Sequence, residues 1–161
     1  MWKSWLFPLL GALALVAVAR AGLAVMSGDG WGGSATASGE HGRARAAIER
    51  EDWPAAIVIL EKLVSERPFD DDAHTLLAFA NRKRGRMDVA LDHYHRALEL
   101  NPYHRGALEY LAEARIERGE LDAAHALLAR IVTVCSRAEL PACPEADELR
   151  AKLSARRHDA R

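Results

Sequence analysis

The sequence predicts an all-α chain of stacked helical hairpins behind an N-terminal apolar segment. Three observations predict it. After residue 40, small and large apolar residues return in columns at a fixed step of 34 residues. Within each step the apolar residues recur at helical spacing, three or four apart. Hydrophobic residues make up 50% of the 161-residue sequence but aromatics only 6%. Much of that apolar content is Ala, so the core is one of closely approaching helices rather than of large rings.

The first segment spans residues 1–26. Met1–Ser4 carry Lys3 and the free amine, and Trp5–Ala19 then contain no charge. That run has the length of a signal-peptide core, and Ala17-Val18-Ala19 and Ala19-Arg20-Ala21 both offer small-x-small cleavage sites. If Arg20 is tolerated, the apolar stretch continues to Met26, roughly 33 Å of helix, long enough to span a bilayer. Trp2, Trp5 and Trp31 flank it at the levels where interfacial aromatics sit, whereas Arg20 counts against a spanning helix. The segment is a signal peptide or an uncleaved anchor, with the anchor preferred. In either case the positive charge of Lys3 stays inside and the rest is exported. The expected location is therefore periplasmic, tethered to the inner membrane or soluble after cleavage. Residues 27–38 are rich in Gly, Ser and Ala, the composition of a flexible linker.

The columns follow. Pro68 and Pro102 are 34 residues apart, as are Gly85 and Gly119. Ala56, Ala90 and Ala124 form a third column, with Leu60, Tyr94 and Leu128 four residues after each. Leu77 and Leu111 form another, followed by Ala78 and Ala112, with Ala44 in the matching place earlier. On these residues the chain resembles the tetratricopeptide repeat family, whose pattern is large-x-x-Leu-Gly-x-x-Tyr, then Ala-x-x-x-Phe, then Pro. The second repeat matches as His74, Leu77, Ala78, Asn81, Ala90, Tyr94 and Pro102. The third matches as Leu108, Leu111, Ala112, Arg115, Ala124 and Leu128, with Ser136 in place of Pro. In the first, Glu40 and Arg43 replace large residues, while Trp53, Ala56, Leu60 and Pro68 fit. The likeness covers about residues 37–138 and looks like that of a small exported bacterial member. It implies a right-handed superhelix of three helical hairpins, 39–70, 71–104 and 105–138.

Local chemistry supports the same division. Asp70 or Asp71 is placed to N-cap a helix whose face is Ala73, Leu76, Leu77 and Ala80. Gly85 ends that helix in the left-handed conformation that Gly adopts cheaply. Val89, Ala90, Leu91, Tyr94, Ala97 and Leu98 form the next stripe, and Asn101-Pro102 stops it. Residues 139–161 hold a capping helix. Pro144 suits its first turn, Glu145, Asp147 and Glu148 complement its start, and Arg150, Lys152, Arg156 and Arg157 its end. Leu149 and Leu153 would seat it on the third repeat. No comparable cover precedes the first.

A formal charge of -1 excludes a general nucleic-acid binder. No nucleophile elbow, Walker-type loop or GxGxxG is present, so no enzyme activity, small-molecule substrate or cofactor is expected. None of the seven His residues has another at i+4, so no helix offers two metal ligands on one face. Cys135 and Cys143 flank the entry to the capping helix and are expected to pair as a structural disulfide in an oxidising compartment. The alternative is a thiol- or metal-handling role for the same pair, for example in cytochrome maturation. By resemblance, ligands lie along the concave wall formed by the first helix of each pair. The groove residues expected from the register are Arg45, Phe79, Arg82, Lys83, Glu109, Tyr110, Glu113 and Glu117. Glu109, Glu113 and Glu117 would form an acidic stripe beside an aromatic ring, suited to a basic, partly apolar peptide or helix of a partner protein. The carboxylate-binding arrangement of chaperone-binding members would need other residues where Leu76 and Tyr110 stand. The functional expectation is a non-enzymatic interaction scaffold or assembly factor.

Overall fold

The computed structural model describes residues 39–159, so the expected targeting segment and linker lie outside the described residues. Those residues form α1 (Glu40–Glu49), α2 (Trp53–Glu66), α3 (Asp71–Lys83), α4 (Met87–Leu100), α5 (Arg105–Glu117), α6 (Leu121–Arg137) and α7 (Pro144–Asp159), with no strand among them. None of these helices is long and apolar enough to cross a membrane.

Local signals set where each helix starts. The Asp52 carboxylate accepts from the Ala55 N–H and that of Asp70 from the Ala73 N–H, so each satisfies one of the orphan donors at its helix start. His104 does the same for α5, its Nδ1 accepting from the Ala107 N–H at 3.2 Å. Turns between paired helices use a left-handed residue. Gly85 and Gly119 have φ of 75° and 77°, and no atom lies within 4 Å of where a Cβ would sit. Backbone conformation, not space, therefore selects Gly at both. The equivalent position of the first repeat is Glu51, at φ 56°.

The columns become the seams. Ala44, Ala78, Ala112, Ala56, Ala90 and Ala124 are all fully buried, as are Leu60 and Tyr94. Each lies where two helices approach, and a larger side chain would force the backbones apart. Ala146, one step beyond Ala112, is equally buried in α7. The capping helix thus occupies the place of a first helix in a fourth, incomplete hairpin. Its Leu149 and Leu153 join Leu108, Leu111 and Ile131 in the core of the second half of the domain. A second cluster centres on Leu60, Leu63, Leu76 and Leu77, where α3 meets α1 and α2. One expectation fails here. Val89, placed in the apolar stripe of α4, is 43% exposed, because it lies one residue off the face that carries Ala90, Tyr94 and Ala97.

Candidate functional site

A cleft of about 610 Å³ opens between α3, α5 and α7. Phe79, Arg82 and Lys83 line it from α3, Tyr110, Glu113, Ile116 and Glu117 from α5, and Glu148, Lys152, Ala155 and Arg156 from α7. Six of the eight groove residues expected from the sequence are brought together there. The other two are not. Arg45 stands on α1, where its charge acts on Asp72, and Glu109 is 9% exposed, packed below the cleft surface. The α7 wall was not anticipated. The sequence signal that would have revealed it is Ala146, which continues the Ala44–Ala78–Ala112 column and makes α7 a groove helix as well as a cover.

The floor of the cleft is an ion-pair network. Arg82, its side chain 3% exposed, donates to Glu113 Oε2 and Glu117 Oε1, each at 2.6 Å. Lys152 donates to the other Glu113 oxygen and, at 2.6 Å, to Glu148. Burial alone would raise the Glu113 carboxyl, but the Lys152 bond and the Arg82 charge outweigh it and hold it below the ordinary value. Glu109 has no such cation in contact. Its burial, with Glu113 and Glu148 nearby, pushes it up to about 7. The carboxylate oxygens of Glu109, Glu113 and Glu148 lie within 4.8 Å of one another, with Lys152 bonded among them.

The expected acidic stripe is therefore corrected. Two of its three members are paired with Arg82 and Lys152, and the third is buried, its carboxyl pushed up to about 7 by that burial. Between these paired charges the cleft is lined by half-buried aromatic rings. Phe79 lies between Trp53 and Tyr110, with ring centroids at 6.0 and 5.0 Å. The Lys83 ammonium sits 5.4 Å above the Phe79 ring. Leu76, on the apolar face of α3 with Ala73, Leu77 and Ala80, is buried in the core.

Two further clusters lie outside the cleft. Cys135 and Cys143 stand as a disulfide pair with Cα atoms 5.9 Å apart, tying the end of α6 to the start of α7. Glu145, whose carboxylate is close to both sulfurs, is engaged by Arg105 at 3.2 Å. Between α3 and α4, His74 and His93 stack with their Nδ1 atoms 3.0 Å apart. The His74 Nε2–H donates to the Pro68 carbonyl, so a neutral His74 accepts at Nδ1 from His93. Burial, then the neighbouring His74, holds His93 below the ordinary imidazole value. A search for i, i+4 spacing could not find this pair, because it joins two helices.

The comparisons agree with this architecture. No curated protein matches the chain. Among solved structures, the TPR2B domain of yeast Sti1 in complex with an Hsp70 peptide superposes with a TM-score of 0.63 at 23% identity, covering 73% of this chain and 98% of that one. The type III secretion translocator chaperone SycD of Yersinia enterocolitica superposes with a TM-score of 0.66 at 17% identity, covering 75% and 91%. The same chaperone bound to a peptide of the translocator YopD gives 0.60 at 18%, covering 72% and 85%. At these identities the likeness is one of fold. Two sequence models of the tetratricopeptide repeat match residues 41–104 and 81–153. With its columns buried as the repeat requires and most of its length matched, the chain belongs to the tetratricopeptide repeat family.

Proposed function

We propose that the chain is a non-enzymatic scaffold that holds a segment of a partner protein in the α3–α5–α7 cleft. One observation carries this reading: the half-buried rings of Phe79 and Tyr110 line the cleft beside charges that pair with one another. A surface of that kind offers apolar contact without the cost of stripping water from unpaired ions. The segment it suits carries an apolar or aromatic side chain for Phe79 and Tyr110, and a carboxylate within reach of Lys83. The likeness to structures holding Hsp70 and YopD peptides supports the class of ligand and nothing finer. The export reading belongs to the same proposal, with residues 1–26 tethering the domain on the periplasmic side of the membrane.

A photo-cross-linking residue placed at Lys83 in cells should capture the partner, whereas one at the exposed Val58 of α2 should not. Phe79→Ala should abolish the adduct and leave the helical circular dichroism intact. Equal capture at both positions would remove the cleft from consideration.

We read Cys135–Cys143 as structural rather than thiol-handling, because Cys135 is buried at the end of α6. The unreduced native protein should then take up no thiol reagent. Labelling of both cysteines would instead favour the thiol-handling alternative.

A further inference from the structure

Among the described residues, three of the five large hydrophobic side chains that stand exposed lie in the same kind of turn. Phe69 precedes α3, Tyr103 precedes α5 and Leu140 precedes α7, exposed by 76%, 60% and 39%. Polar bonds place these turns along one edge. Asn101 Nδ2 donates to Asp71 Oδ2 at 2.7 Å, joining the Phe69 turn to the Tyr103 turn. Tyr103 and Leu140 border a common hollow with His104. The start of α1 belongs to this edge too, since His41 Nε2 lies 3.2 Å from Asp70 and Glu40 bonds Lys62 near the end of α2. The described chain therefore begins, at Gly39, on the edge that carries the exposed aromatics.

We propose that this edge rests on the lipid bilayer, with Phe69 and Tyr103 seated at the headgroup level. The proposal rests on the reading of residues 1–26 as an anchor. Only the twelve residues 27–38 separate that anchor from Gly39, and twelve residues reach at most about 40 Å, so the edge where they join stays near the membrane surface. Phe and Tyr are side chains that favour the interface, and single ones scattered at random would not share an edge with the tether. Arg130, bonded to the Pro102 carbonyl beside Tyr103, stands as a cation for lipid phosphates, whereas Arg96, 5.9 Å from the Phe69 ring, is paired with Glu99 at 3.0 Å. The acidic run Asp70–Asp72 lies on the same edge, hydrogen-bonded but still charged, so docking rests on the aromatics and the tether rather than on net charge. Asp70 caps α3, Asp71 is held by Asn101, and Asp72 by His104. A docked edge also fixes orientation, turning the N-terminal ends of α1, α3, α5 and α7 toward the lipid and leaving the cleft, along the sides of α3, α5 and α7, open to partners.

The test uses the full chain in vesicles of phosphatidylethanolamine and phosphatidylglycerol, with bromine-labelled lipid as the quencher. Phe69→Trp and Tyr103→Trp are compared with Val58→Trp, each against the unsubstituted chain, and flotation is measured on the same samples. The expected result is co-flotation, with roughly half or more of the added emission quenched at 69 and 103 and almost none at 58, as for aromatics at the interface. A chain that floats while 69 and 103 remain as unquenched as 58 overturns the docking proposal and leaves the anchor standing. A chain that does not float removes both. Emission at 69 that shifts with protein density but not with brominated lipid would assign the edge to a second copy, and would equally overturn docking to lipid.

Discussion

Glu51 carries a conformational cost that its two repeat equivalents avoid. At φ 56° it sits in the left-handed region where Gly85 and Gly119 stand in the other repeats. A side chain there costs about 1–2 kcal/mol, part of which Gly returns through the greater freedom of its unfolded chain. Glu51→Gly should therefore stabilise the fold by roughly 1 kcal/mol, seen as a rise in Tm of about 3–6 °C in a calorimetric scan. Glu109 makes a second residue-level prediction. Its folded carboxyl titrates near 7 against an ordinary 4.5, so the folded state holds the proton more tightly than the unfolded one. That contribution is complete below about pH 4.5 and is lost as the pH rises through about 7. Asp72, lowered chiefly by its bond from His104, and Glu113 act in the opposite sense, losing stability as the pH falls. Glu109→Gln should abolish the decline in urea midpoints between about pH 4.5 and about 7 and leave the acid limb in place. An unchanged decline over that window would mean that Glu109 is ionised in the folded protein.

Among the elements, α3, α5 and α7 are joined by one chain of charges running Glu117, Arg82, Glu113, Lys152 and Glu148. Arg82 is its buried centre, and removing it leaves the half-buried Glu113 with only Lys152. Breaking a pair of this kind from one side costs about 3 kcal/mol or more. Arg82→Met should lower chemical stability by that order, whereas Arg82→Met with Glu113→Leu should recover much of it, since the Glu113 carboxylate that lost its partner is then gone too. Equal losses in the single and double variants would show that the network contributes through packing alone. The disulfide acts on the same element. It fixes the start of α7, and by the chain-entropy account a loop this short contributes about 2–3 kcal/mol.

For the molecule as a whole, stability is a sum over interfaces between neighbouring hairpins, and α7 covers the last of them. Ala124 lies fully buried on the α5–α6 seam. Ala124→Leu should cost about 1–3 kcal/mol by overpacking, measured by thermal denaturation. A half-molecule whose α1–α3 cluster remains protected from hydrogen exchange in that variant would show the two cores to be separable. A neutral substitution would contradict the seam assignment on which the repeat reading rests.

Much of this architecture was legible beforehand. The Ala and Leu columns, the capping Asp70 and the turn Gly85 act within a few residues of their own position, so spacing alone reveals them. The Val89 error came from reading a stripe one residue too wide. The cleft was legible only as a list of positions. Arg82 lies 31 and 35 residues from its two carboxylates, and no local rule says which side chains on facing helices reach one another. His74 and His93 met for the same reason without a sequence signature. What the sequence by itself determined is the repeat: helix, turn and seam follow from short-range periodicity and from the size of the side chain at each close approach. Only the tertiary structure decided that the acidic stripe is neutralised, that Glu109 is buried, that α7 forms a groove wall, and that the exposed aromatics share the edge where the described chain begins. Those outcomes depend on distances between separate helices, where charge pairing and desolvation are settled.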